Sequence, residues 1–168
     1  MAREIKYEIH EATYLLRFIM VVAVIGFAIS MYSFLHHHAF ASGTVCTINE
    51  TFNCDIVNRG PFSEIFGIPV SLIGVIGYFF LGAIAFVKHR HPEDQPLSLM
   101  LVVLSTLAFL FSLYLTFIEA FILNTWCLLC VASLLCILLI TVASFWHRHE
   151  VDRHTFLHIK QKEYRDYN

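Results

Sequence analysis

Four long apolar runs constrain this chain more than anything else in it. Leu15–Leu35 carries one charge, Arg17; Ile68–Val87 carries none; Leu97–Leu123 carries one, Glu119; Thr125–Trp146 carries none. Each reaches the roughly 20 residues an α-helix needs to cross a bilayer core. Lipid offers backbone amides no partners, so segments of this kind span as helices that satisfy their own hydrogen bonds. Composition agrees: 58% of residues are hydrophobic and 14% charged, against roughly 45–50% and about 25% in soluble domains. The expected fold is all-α and integral to the membrane, a four-transmembrane-helix bundle with a long loop between helices 1 and 2. Its approximate parts are an N-terminal segment 1–14, a membrane domain 15–146 with helices at 15–35, 68–87, 97–123 and 125–146, and a tail 147–168.

The connections are unequal. The third and fourth runs meet at Asn124, with Thr125 expected to N-cap the fourth helix by accepting amides near Cys127 and Leu128. Lys88–Pro96 is short, polar and holds two prolines, which stop helices. Only His36–Gly67 is long, at 32 residues, and so long a segment in so small a protein usually carries function. Ten Lys and Arg residues fall on one side of this topology and only Arg59 on the other. The positive-inside rule then puts both termini and the 88–96 loop in the cytoplasm, with the 36–67 loop and the Asn124 turn outside. Ala39–Phe40–Ala41 mimics a signal cleavage site, but the 21-residue run before it exceeds the roughly 7–15 residues of a signal h-region. That segment is expected to stay as an anchor. A net charge of −2 supplies no electrostatic footprint for nucleic acid.

Topology sorts the five cysteines. Cys46 and Cys54 lie in the outer loop; Cys127 and Cys130 lie at the outer end of the fourth helix. All four therefore share one disulfide-permissive compartment. Cys127-Leu128-Leu129-Cys130 puts two sulfurs on one helix face. A helix N-terminus favours the thiolate at Cys127, while lipid opposes it at the deeper Cys130. Cys136 is half a turn out of phase with Cys127 and about 9 Å deeper than Cys130, so it is expected to be a packing residue. The bland readings are a structural Cys46–Cys54 disulfide and, less naturally given the x₇ spacing, a four-cysteine zinc site; no metal site is expected. The sharper reading is a relay. A mobile dithiol can reach an aqueous protein, a fixed dithiol can reach a lipid-soluble acceptor, and thiol–disulfide exchange joins them. The lipid-soluble two-electron acceptor of energy-coupling membranes is a quinone.

At these residues the chain resembles the vitamin K epoxide reductase family, most closely its bacterial members. The matching pieces are Cys46-x₇-Cys54-Asp55, Phe66-Gly67-Ile68-Pro69-Val70, Tyr114 and Glu119 on the third helix, and Trp126-Cys127-Leu128-Leu129-Cys130. The resemblance runs from about Leu15 to Trp146. It implies a bundle around a quinone pocket, with electrons moving from loop dithiol to C-x-x-C to quinone (ubiquinone, menaquinone or vitamin K). It implies that Cys46 exchanges with the partner, Cys54 shuttles to Cys127, and Cys130 faces the quinone. Glu119, Tyr114, Val70 and Leu134 are the implied pocket residues. Leu134 and Val70 stand where the vertebrate enzymes carry a Tyr and an Asn that help hold vitamin K, which argues against epoxide reduction. The stretch Asn58-Arg59-Gly60 lacks the Ser often found after the second loop cysteine, with Ser63 the nearest hydroxyl. Some bacterial relatives carry a fused thioredoxin-like domain; the tail 150–168 is too short for one, so the partner is expected to be a separate DsbA-type protein.

Individually, Glu119 is an ionisable group in a membrane helix, able to relay protons or hold the outer loop, or merely to snorkel. His36, His37 and His38 are expected to form a wet interfacial cap. Tyr78 reads as a packing residue with a hydrogen-bonded tip, and Trp126 as an interfacial anchor. The function expected is a membrane thiol oxidoreductase that re-oxidises an extracytoplasmic thioredoxin-fold protein, at the expense of quinone, in a bacterial inner or plasma membrane. Its rivals are a vitamin K epoxide or quinone reductase using the same relay, and a non-enzymatic scaffold with a structural disulfide.

Overall fold

The computed structural model describes residues 2–37, 53–58, 60, 62–65, 67–91 and 94–166, with side chains described between 13 and 152 except those of Asp55 and Asn58. In chain order the elements are α1 (Ala2–His37), the short α2 (Cys54–Asn58), β1 (Glu64–Ile65), β2 (Ile68–Pro69), α3 (Val70–Arg90), α4 (Gln95–Ile118), a π-helical turn (Glu119–Leu123) and α5 (Leu128–Asp166). Four segments are long and apolar enough to span a membrane: Thr13–His37, Val70–Arg90, Gln95–Leu123 and Leu128–Asp152. The protein is thus an integral membrane four-helix bundle. The flanking segments continue helices, since α1 runs back to Ala2 and α5 on to Asp166.

Helix α1 packs along α3 and α5, and α5 also packs along α4, while α3 and α4 touch more sparingly. Lipid tails are as apolar as a leucine, so burial of apolar area does not drive these helices together; close backbone approach does. The α1–α3 seam is accordingly made of small residues. Gly26 of α1 receives the Tyr78 ring, Ser30 lies against Gly74, and Ala23 against Gly82. Leu16, Ile19, Leu81, Leu101, Ile137 and Ile140 fill the core beneath. Large side chains such as Phe79, Phe80, Phe121 and Trp146 face outward, where lipid solvates them. At the end remote from the cysteine pair, Lys88 Nζ donates to the Asp94 carbonyl (2.9 Å) and Arg148 to that of Gln95 (3.4 Å). Thr141 of α5 donates to the Ser105 carbonyl of α4 at 3.1 Å.

The opposite end departs from the sequence reading in two places. Thr125 does not cap the last helix. Its hydroxyl donates back to Leu123 O (3.1 Å), its amide donates to Glu119 O (3.2 Å), and α5 opens with Val131 N–H donating to Cys127 O (3.0 Å). The reason is the π-helical turn ending at Asn124, whose left-handed conformation (φ 46°) redirects the chain before Thr125; Asn tolerates that region. Nor do the histidines form a wet cap. Helix α1 continues to His37, which carries His36 onto a packed face at 1% exposure, stacked on Tyr32. His37 Nε2 lies 3.3 Å from Glu64 Oε1 on β1, and His38 lies outside the described residues. That pairing fastens α1 to the hairpin of β1 and β2, where Ile65 opposes Ile68 and Gly67 sits at φ 78° in its turn.

Candidate functional site

The site begins with a backbone contact. Asn53 N–H donates to Trp126 O at 3.2 Å, joining the loop between α1 and α3 to the turn before α5. The Asn53 side-chain oxygen accepts Ile56 N–H at 3.3 Å and so caps α2. Each partner of that bridge is followed at once by a cysteine, Cys54 and Cys127. Their sulfurs are consequently 3.2 Å apart, and both residues are fully buried. Val57, Leu129 and Cys130 pack around the pair. Cys54 is disulfide-bonded, whereas Cys127, Cys130 and Cys136 are free thiols. Cys46 lies outside the described residues. A free thiol against a disulfide sulfur, at a separation within near-attack range, is the starting geometry for thiol–disulfide exchange.

Glu119 organises the other side of this contact. It is the first residue of the π-helical turn and is 3% exposed. Its backbone carbonyl accepts the amides of Asn124 and Thr125, and its Oε2 accepts Cys127 N–H at 3.3 Å. Single π turns inside α-helices recur at functional sites. Here the turn lets one residue hold the reversal through its backbone and Cys127 through its side chain. The Cys130 side chain lies beside the same carboxyl group. A hydrogen bond from the Cys130 thiol holds the Cys127 thiol below the ordinary thiol range, against the upward pull of burial.

Beneath the thiols a cavity of about 360 Å³ opens between the helices. Cys130, Glu119 and Val70 line it; Tyr114 and Leu134 do not. Tyr114 is 58% exposed on the outer face of α4, and Leu134 packs against the apolar core. Cys136 is buried in that core, away from the dithiol. Sequence reasoning missed the hydroxyls of the cavity wall, among them Ser30, Ser33, Ser71, Ser112 and Ser133. Tyr78 is the packing residue with a hydrogen-bonded tip that the sequence suggested, though the sequence did not name its partner: its O–H donates to Ser133 O at 2.7 Å and lies 3.0 Å from Ser133 Oγ. Only Asn53, a capping residue directly before a cysteine, left a local signal. Mostly apolar walls with scattered hydroxyls and one thiol at the mouth suit a flat apolar ring bearing carbonyl acceptors, which is the chemistry of a quinone.

Four membrane-spanning helices, a thiol–disulfide contact at one end and a cavity beneath it define a membrane redox protein. The vitamin K epoxide reductase family matches residues 17–145, and the chain belongs to that family. Membership makes it a membrane oxidoreductase. No curated protein matches the chain significantly.

Proposed function

We propose that this protein oxidises an extracytoplasmic thioredoxin-fold partner and delivers its electrons through two cysteine pairs to a membrane quinone, supporting disulfide-bond formation. The observation that carries the proposal is the 3.2 Å separation of Cys127 Sγ from the disulfide-bonded Cys54 Sγ. The partner's thiolate attacks a Cys46–Cys54 disulfide at Cys46, and its second thiol then releases Cys46, leaving both loop cysteines reduced. Cys54 attacks Cys127 of an oxidised Cys127–Cys130 pair and expels the Cys130 thiolate. Cys46 next attacks Cys54, which restores the loop disulfide and leaves Cys127 and Cys130 as thiols. A disulfide at Cys54 beside free Cys127 and Cys130 corresponds to the state after this step. A quinone bound in the cavity would take two electrons and two protons from the dithiol.

The burial of Cys54 and Cys127 supports the order of events, because a folded partner cannot touch either sulfur in this arrangement. The loop cysteine Cys46 is then the contact point for the partner. Glu119 and the Asn53–Trp126 bridge hold the internal exchange in register. The distribution of Lys and Arg supports a topology with the cysteines outside and both termini cytoplasmic. The test uses the purified protein in lipid nanodiscs with a reduced thioredoxin-fold protein. Oxidation of the partner should occur only when a quinone is supplied. Oxidation at the same rate without quinone, or none with it, would overturn the reading.

A further inference from the structure

Oxidising Cys127 and Cys130 to a disulfide releases two protons along with two electrons, so the site needs a place for protons to go. The described residues lining the cavity include one carboxyl group, that of Glu119. The other faces present hydroxyls and apolar groups: Ser30 and Ser33 from α1, Ser71 and Tyr78 from α3, Ser133 from α5. The titratable groups acting on Glu119 are the thiols of Cys127, in the turn just before α5, and of Cys130, on α5. α2 contributes Cys54, which is in a disulfide and does not titrate. One oxygen of Glu119 is already committed to Cys127 N–H. A carboxylate has acceptor capacity on both oxygens, so the residue can hold Cys127 and still take a proton.

We propose that Glu119 is the proton acceptor for the Cys130 thiol during oxidation of the Cys127–Cys130 dithiol. This deepens the quinone-coupled reading and rests on it. The Cys130 proton moves to the Glu119 carboxylate, and the thiolate so formed is the electron donor. As the Cys127–Cys130 bond closes, the two electrons and both protons pass to the quinone acceptor, Glu119 returning the proton it took. Atoms and charge balance with no further reactant. An ionisable side chain in a membrane helix is costly to keep. The role also accounts for its place at the cavity mouth, where an amide acceptor alone could have been a neutral side chain.

Glu119→Gln separates proton transfer from positioning, because the amide oxygen of Gln still accepts Cys127 N–H but accepts no proton. Two readouts are compared with wild type in nanodiscs. The first is the single-turnover rate at which added quinone oxidises the dithiol, across pH. Glu119→Gln should lose about 100-fold, the lower end of what a positioned proton acceptor contributes, and its residual rate should climb with pH while the wild-type rate stays flat. The second needs no quinone: the pH profile of Cys130 alkylation in a Cys127→Ala background. Removing a carboxylate beside a thiol makes that thiol easier to ionise, so the midpoint should move to lower pH. A Glu119→Gln rate within twofold of wild type with an unchanged profile, or an unmoved alkylation midpoint, would overturn the proposal and leave the relay standing. A wild-type protein that does not reduce quinone would instead remove the reading beneath it. Glu119→Ala is expected to lose both functions, and its internal Cys54–Cys127 exchange should slow as well.

Discussion

Gly26→Ala should destabilise the bundle through a single side chain. A Cβ at position 26 would run into Cε1 and Cζ of the Tyr78 ring, far inside carbon–carbon contact. The ring cannot simply swing away, because its hydroxyl is bonded to Ser133 on the far side and Tyr78 is 5% exposed. Either the helices part or the Tyr78–Ser133 bond breaks. Overpacking costs about 1–3 kcal/mol and a lost hydrogen bond about 1 kcal/mol. The better helix propensity of Ala returns up to about 1 kcal/mol. The net expectation is about 2 kcal/mol, roughly a 30-fold loss in the folded-to-unfolded ratio. The assay is reversible unfolding of the detergent-solubilised protein in rising SDS. A double-mutant cycle with Tyr78→Ala isolates the cause. Removing the ring removes the clash, so the two changes together should cost at least about 1 kcal/mol less than their sum. A Gly26→Ala variant within about 0.5 kcal/mol of wild type, or strictly additive costs, would refute the packing argument.

Other outcomes follow from the same geometry. Cys136→Ala should keep most of the thiol-oxidising activity at equal protein level, whereas Cys127→Ala and Cys130→Ala should each abolish it; steady-state partner oxidation measures all three. A partner whose second cysteine is replaced by alanine should accumulate a covalent adduct with Cys46, seen on a non-reducing gel and lost on reduction, because the thiol that would release Cys46 is gone. If that adduct forms through Cys54 instead, the two loop cysteines exchange roles. Because the Cys130 thiol holds Cys127 below the ordinary thiol range, alkylation of Cys127 should rise to its plateau at lower pH than that of an ordinary cysteine. The midpoint should move upward in Cys130→Ala, and a midpoint that fell would contradict the assigned cause.

Much of the bundle was legible because each span is continuous in sequence and its length is set by the bilayer. The C-x-x-C was legible for the same local reason. What escaped depends on contacts distant in sequence. Asn53 meets Trp126, and Tyr78 meets Ser133, across gaps no periodicity reports. The π-helical turn escaped because it changes the residue count of the reversal by one, and with it the position of Thr125. Helical phase would have separated Tyr114 from Glu119. Five residues in an α-helix rotate about 140° beyond a full turn, and the cavity is lined from the other stripe, through Ser112, Leu115, Thr116 and Glu119. Leu134 is subtler. It lies one turn below Cys130, yet Ser133 and Ile137 line the cavity, so Leu134 faces the core instead.

The Cys54–Cys127 exchange is the step on which the whole relay turns, and the most direct measurement looks for its trapped intermediate. The Cys130 thiol can clear a Cys54–Cys127 bond by attacking Cys127 and expelling Cys54, and without Cys130 only the Cys46 thiol is left to resolve that bond. Cys130→Ala protein, purified with thiols blocked in acid, is digested without reduction and its cross-linked peptides are identified by mass spectrometry. The account predicts a disulfide joining the Cys54 and Cys127 peptides of one chain, abundant in Cys130→Ala and scarce in wild type. A Cys130→Ala protein holding only the loop disulfide, with Cys127 fully free after exposure to oxidised partner and quinone, would contradict it.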